Sequence, residues 1–232
     1  PKMKLHLSNS VGVPFPDLKI SVNRDLKSQH YLIKIYEVPV DEGFLSPSHC
    51  VIQNNPANSQ AITLLSDERT METAHGTPVM LLKLKREQEI HQKGIKVLLP
   101  EEMILRHVAR VIKRFASDFV GIQVVRDILT NVEHLHPELV REVIPRMMTV
   151  HKLTEVIKRL VGEGVSIKDF RLILETLAGA HPENKDPVDL TEIVRLGLSK
   201  QITFAHAGLN NRLSCFCLDG EIETEVAKHI QK

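Results

Sequence analysis

Residues 150–179, VHKLTEVIKRLVGEGVSIKDFRLILETLAG, and residues 186–202, DPVDLTEIVRLGLSKQI, decide the fold class. Val150, Leu153, Ile157, Leu160 and Val161 recur at helical spacing, with Lys152, Glu155, Lys158 and Arg159 on the opposite face. Gly162 and Gly164 follow, and glycine ends helices by taking a left-handed cap without a Cβ penalty. Ser166 can then accept exposed amides of a second helix, with Asp169 three residues on as a variant of the capping box. Phe170, Ile173, Leu174 and Leu177 give that helix its apolar stripe. Asp186 before Pro187 marks a third start, an N-cap carboxylate followed by proline at the first helical position. Three consecutive amphipathic helices are expected.

Upstream, Pro100 opens a long helix, with Glu101 and Glu102 suited to the positive end of its dipole. Its buried stripe is predicted to be Ile104, Leu105, Val108, Val111, Ile112 and Phe115. Two more helices are expected at Ile122 to Val132 and Glu138 to Val143, broken at His134-Leu135-His136-Pro137 because proline disfavours helix before it. Nearer the N-terminus the period changes. Ile20 and Val22, then Tyr31, Ile33 and Ile35, alternate, which predicts two strands, LKISV and YLIKIYEV, joined by the polar run Asn23 to His30. Between about 44 and 99 the chain is turn-rich, with strands expected at Pro78 to Leu84 and Ile95 to Leu98 and a polar helix at Arg86 to Gln92.

At 232 residues the chain can bury a sizeable core and divide into more than one unit. Hydrophobic content of 42% with 25% charged residues is that of a globular chain. A net charge of +1 gives no general argument for nucleic acid or anionic membrane as a partner. Aromatics make up 4% with no tryptophan, so there is little material for base stacking or sugar binding. No stretch approaches the roughly 20 apolar residues of a membrane span, and no signal peptide opens the chain. Because it begins at Pro1, the chain is expected to be a fragment of a longer polypeptide. Cys50, Cys215 and Cys217, an odd and uneven set, fit a reducing compartment better than a disulfide framework. On a strand Cys215 and Cys217 would share a face, and they are expected to be a buried apolar pair.

The twelve histidines raise a metal hypothesis, but no HExxH, CxxC pair or four-ligand spacing accompanies them. Phosphate-cradling glycine motifs and the G-x-S-x-G elbow are also missing. Glu101 with Glu102, and Glu221 with Glu223, read as helix-start charges rather than an acid–base pair. His107, alone on its helix, reads as a structural hydrogen-bonder. No enzyme, cofactor or metal site is expected.

The helical stretch resembles the cytoplasmic domain of the type III secretion export-gate family, which serves flagella and injectisomes. That family carries L-x-x-V-L-x-x-L-L-x-E, then V-S-I-R-D-L-R-x-I-L-E-x-L, then D-P-x-x-L-T-E-x-V-R-x-x-L. The counterparts here are Leu153, Val156, Ile157, Leu160 and Val161, then Val165 through Arg171, then Asp186-Pro187 through Arg195 and Leu198. The resemblance extends upstream through Gly12, Pro16, Ile20, Val22, Asn23, Leu26, Tyr31, Ile33 and Ile35. The family's T-V-x-x-T-H-L becomes Glu102 through Val108 and keeps His107. Its D-P-A-F-G-L-P-A-V-W-I becomes Glu72 through Leu82, with Ala74, Gly76 and Pro78 retained, Glu72 at the acidic position and His75 at the aromatic one. In flagellar relatives that acidic–aromatic pair helps receive chaperone–substrate complexes, so its altered chemistry favours the injectisome branch.

The resemblance implies an α+β fold of four small units. Residues 1–50 with 100–119 would form a mixed α/β first unit, 51–99 a second inserted into it, 120–199 a helical third, and 200–232 a truncated α/β fourth. It also implies the cytoplasmic part of an inner-membrane protein whose membrane region precedes this stretch. That part would be a docking platform for secretion substrates, their chaperones and gatekeeper proteins, assembled as a ring of about nine copies, with no nucleic-acid partner. By position, Glu72, His75, Leu98, Met103 and Arg106 are the docking candidates. Asp169, Arg171 and Arg195 are the candidates for contacts between subunits. The rival readings are a non-secretory helical adaptor and a small-molecule or metal-dependent enzyme.

Overall fold

A computed structural model of the chain describes residues 11–15, 17–53, 70–72, 78–83, 91–92, 97–180, 186–207, 212–213, 215 and 219–230. The chain divides into two units, Pro1–Phe119 and Val120–Lys232. Strands occur in the first, and the second is helical among its described residues, so the fold is α+β.

In the first unit, β1 (His30–Ile35) and β2 (Val38–Phe44) form an antiparallel hairpin. YLIKIYEV is therefore not the single strand that its alternation predicts. The chain reverses at Tyr36 and Glu37, whose φ values of 49° and 67° are the left-handed pair that a tight hairpin turn requires. No Asn or Gly announces this turn, which is why the alternation masked it. The strand expected at LKISV is absent as well. Those residues carry no regular secondary structure, and Ile20 and Val22 are 95% and 94% exposed.

A second sheet contains β3 (His49–Gln53), β4 (Thr70–Glu72) and β5 (Pro78–Lys83), with β5 in the middle and both neighbours antiparallel to it. Val51 of β3 pairs with Leu81 on one side and exchanges two backbone hydrogen bonds with Leu98 on the other, at 2.8 and 2.9 Å. That bridge leads directly into α1 (Pro100–Arg114). Proline sits at N1, and the Glu102 carboxylate accepts the Leu99 N–H at 3.3 Å. Val111 and Ile112 of α1 are buried with Cys50, Val51 and Ile52 of β3 and with Val11, Val13 and Phe15. A 3₁₀ turn, Ala116–Phe119, closes this core, with Phe119 edge-on to Phe15 at 5.5 Å between ring centroids. Leu105, expected inside, is exposed because it lies at the margin of the stripe. Of the helix expected at Arg86 to Gln92, His91 and Gln92 are helical; the rest, like Ile95, lies outside the described residues.

From residue 122 to 197 the second unit carries helices where the periodicity predicts them, and two more follow. Its elements are α2 (Ile122–Glu133), α3 (Pro137–Val143), α4 (Val150–Gly162), α5 (Phe170–Ala178), α6 (Pro187–Gly197), α7 (Ser199–His206) and α8 (Gly220–Ile230). Helix α4 begins at Thr149, whose hydroxyl accepts the Lys152 N–H. It ends in a Schellman arrangement in which Gly164 at φ 77° donates to Val161 and Val165 donates to Leu160. Leu153, Val156, Ile157 and Leu160 of α4 are fully buried with Ile173, Leu174 and Leu177 of α5 and Val194 of α6. The buried Thr154 and Thr191 hydroxyls donate to carbonyls one turn back, so neither leaves a polar atom unpaired.

Two expectations fail here. Helix α5 is capped by Asp169, whose carboxylate accepts the Leu172 N–H at 3.1 Å, and not by Ser166. The residues from 165 to 169 run outside the helix and seat Ile167, which is 1% exposed, in the core before α5 begins. Cys215 is exposed and outside any strand, so it does not form a buried pair; Cys217 lies outside the described residues.

Candidate functional site

In the first unit, the register of the hairpin sets Tyr31 opposite Gly43 and Ile33 opposite Asp41. Directly opposed residues share a face, as do residues two apart, so Tyr31 and Asp41 stand diagonally on one face. A Cβ on Gly43 would lie 2.3 Å from Tyr31 Cζ. The missing side chain is what lets the tyrosine ring lie flat across β2. Tyr31 Oη then reaches His107 Nδ1 of α1 at 2.7 Å, with the two rings edge to face at 5.6 Å. On its other side His107 Nε2 stands 3.1 Å from Asp41 Oδ2, off hydrogen-bond alignment. The His107 and Asp41 side chains are only 12% and 18% exposed. Burial, and then the Asp41 charge, raise the Tyr31 pKa above its ordinary value, while Arg110 pulls it back. This polar lock ties both hairpin strands to α1, and His107 acts in it as a hydrogen-bonder. Tyr31 and His107 are 76 positions apart in sequence. Only a reversal at Tyr36–Glu37 brings Gly43 opposite Tyr31, so nothing in the sequence linked them.

The docking candidates fall on the same unit. Leu98 is half-buried at the bridge to β3, Met103 is half-buried on the first turns of α1, and Arg106 is exposed one turn further along. Met103 and Arg106, three residues apart on a helix, are neighbours on one face. Glu72 ends β4, on the far edge of the sheet from Leu98. Three strand spacings separate those edges, roughly 14 Å. His75 lies outside the described residues. Leu98 and Met103 thus lie at the start of α1 with Arg106 one turn beyond Met103, and Glu72 is not with them.

In the second unit the candidates for subunit contacts all have partners within the chain. Asp169 caps α5 and also accepts a long 3.5 Å bond from Gln201 Nε2. Arg171 pairs with Glu175 one turn on. Arg195 reaches Glu163 at the end of α4, at 2.8 Å, and also pairs with Glu192. All three retain solvent exposure, so these are surface pairs. Among the described residues no three His, Cys, Asp or Glu side chains are grouped so as to hold a metal ion, and no helix is long and apolar enough to cross a membrane.

The chain is similar to low calcium response locus protein D of Yersinia pestis, 28% identical over 222 residues. The match covers 96% of this chain and 31% of that protein, so the chain spans about a third of the length of its relative. Its fold matches the solved structure of the Chlamydia pneumoniae CdsV protein, 31% identical, with a TM-score of 0.84 over 98% of this chain and 67% of that one. The match to CdsV in the structure of the CdsV and CdsO complex is 32% identical, with a TM-score of 0.86 over 98% of this chain and 65% of that one. The nonameric EscV cytosolic domain from the type III secretion system shares the fold at 24% identity, with a TM-score of 0.67 over 89% of this chain and 60% of that one. The FHIPEP family model matches residues 1–232 from end to end. With that match the chain belongs to the FHIPEP family.

Proposed function

We propose that this chain is a cytoplasmic segment of an injectisome export gate and that its work is binding, not catalysis. Docked substrates, their chaperones and gatekeeper proteins would be held at the first unit and passed toward the membrane region of the longer protein. Half-buried Leu98 and Met103 at the start of α1, with exposed Arg106 one turn beyond Met103, carry this reading. Met103 and Arg106 offer apolar contact and a positive charge on one helix, with Leu98 just before its start. Glu72 and His75 would contribute to a broader face. The Tyr31–His107–Asp41 lock supports the reading because it fixes α1 against the hairpin, and a preorganised surface loses less freedom on binding.

Assembly into a ring of about nine copies is proposed from the nonameric EscV cytosolic domain, and a partner among the other export-apparatus proteins from the CdsV and CdsO complex. Asp169, Arg171 and Arg195 would lie at the contacts between copies. Their present partners do not oppose this, because an exposed ion pair is worth only ~0–1 kcal/mol and is cheaply exchanged. Within the two units, the finer division into 1–50 with 100–119, 51–99, 120–199 and 200–232 belongs to the same proposal.

The test is a titration of chaperone–cargo complexes from the same secretion system onto the purified chain. Met103→Asp is expected to abolish binding, and Arg171→Glu to leave it intact while weakening assembly seen by light scattering. Binding that survives Met103→Asp would remove α1 from the docking surface. A plain helical adaptor predicts that neither substitution changes cargo binding.

A further inference from the structure

Between Arg106 and Arg114, α1 carries Arg106, Arg110, Lys113 and Arg114 and no acidic residue. The span is eight helical rises, about 12 Å. In a chain with a net charge of +1, this is a local concentration of charge. Elsewhere Arg141, Arg146, Arg171 and Arg195 each pair with a glutamate of the chain. Arg126 and Arg159 also form no ion pair among the described residues, Arg159 beside Lys158 on α4, whereas on α1 three such cations, Arg106, Arg110 and Lys113, line one side of the helix at spacings of four and three. Part of this pattern has a local cause. Lys113 and Arg114 occupy the last turn, where cations offset the helix dipole, and Arg114 also packs over the Phe115 ring at 5.4 Å. Neither cause accounts for Arg106 and Arg110, which lie in the middle of the helix and are exposed, although the Arg110 charge is also felt at Tyr31.

We propose that this face of α1 receives an acidic protein segment of the docked partner, with carboxylates on Arg106, Arg110 and Lys113 and an apolar side chain against Met103 and Leu98. This deepens the docking reading above and rests on it. Spacings of four and three residues match carboxylates set at the same spacing on a helix of the partner. Guanidinium groups bind carboxylates through two parallel hydrogen bonds, which gives orientation as well as attraction. A protein segment fits better than nucleic acid, because Arg106 adjoins apolar Met103 on the same helix face and α1 has no row of aromatic side chains for base stacking.

The experiment measures anisotropy of labelled poly-L-glutamate and, separately, of a labelled chaperone–cargo complex, at low and high salt. Three chains are compared: the native one, Arg106→Glu with Arg110→Glu, and Lys158→Glu with Arg159→Glu on α4, which changes net charge equally. All four positions are exposed, and thermal melts confirm that the variants fold. Two exposed charge reversals on α1 are expected to weaken both ligands about tenfold at low salt, with the difference shrinking at high salt and the α4 variant unchanged. Equal loss in both variants, or cargo binding unaffected by the α1 reversals, overturns the proposal while leaving docking in place. A labelled oligothymidylate that binds the native chain more tightly than poly-L-glutamate also overturns it, in favour of nucleic acid. Cargo that binds none of the three chains defeats the docking reading itself, and this proposal with it.

Discussion

Replacing Tyr31 by Phe deletes one hydroxyl and nothing else, which makes it the cleanest probe of the lock between hairpin and helix. The lost bond is short, 2.7 Å, and its partner His107 is 12% exposed, so water poorly replaces the hydroxyl. A net hydrogen bond is worth about 0.5–1.5 kcal/mol, and a buried partner left unsatisfied costs about 1–3 kcal/mol. Because Tyr31 is only half-buried, we expect a loss of about 1–2 kcal/mol, toward the lower part of that range. His107→Phe should cost at least as much, because it removes the partner of the Tyr31 hydroxyl and puts an apolar ring beside the Asp41 carboxylate. The double variant should lose about 1 kcal/mol less than the sum of the two singles, as residues in one network do. Since two units need not unfold together, the reading should be local: hydrogen exchange of the β1–β2 amides in the native chain and each variant.

The raised Tyr31 pKa adds a dependence on pH. The folded state favours the neutral phenol more than the unfolded state does, so its stabilising effect is complete below the ordinary tyrosine pKa of about 10. It erodes as pH rises from there through the raised folded value, and Tyr31→Phe should remove that alkaline loss. Additive single-variant effects, or an alkaline profile unchanged by Tyr31→Phe, would refute the lock.

Other substitutions test the remaining joints. Gly197→Ala places a Cβ 2.4 Å from Thr176 Oγ1 and 2.8 Å from its Cγ2, where α6 crosses α5. Urea unfolding should show a loss of about 1–3 kcal/mol, largely restored by adding Thr176→Ala. Leu160→Ala opens a cavity at a fully buried position, and the helical unit should lose about 2–5 kcal/mol by the same assay. Glu37→Gly relieves a left-handed residue at about 1–2 kcal/mol but adds chain entropy of about 0.5–1, so the hairpin should gain roughly 0.5 kcal/mol in exchange protection. Asp169→Ala removes the α5 cap and should cost about 1 kcal/mol even in the isolated chain, where no subunit contact is at stake.

Local signals made the helical unit readable. The stripe Leu153, Ile157 and Leu160, the Gly164 cap and the Asp186-Pro187 start each act within one or two turns, and each is found where the pattern placed it. The β part was less legible because its decisive events are not local. Alternation at Tyr31, Ile33 and Ile35 is the same whether the chain continues or reverses at Tyr36, and the reversal uses residues that do not advertise a turn. Ser166 and Asp169 are both good caps, and only the burial of Ile167 decided between them. Met103 and Arg106 could be put on one helix face from spacing alone. That Leu98 adjoins the start of that helix through a bridge to Val51, or that Glu72 lies across the sheet, depended on strand order. The cations of α1 are legible at their spacing in the sequence, but that, among the described residues, Arg141, Arg146, Arg171 and Arg195 are paired while Arg106 and Arg110 are not depends on the structure.

Secretion by the parent bacterium tests the central claim most directly. With Met103→Asp introduced into the full-length protein, the account predicts normal protein level and loss of chaperone-dependent cargo from the medium. Cargo secreted at the native level, with the variant stably present, would contradict the assignment of this segment as the docking platform.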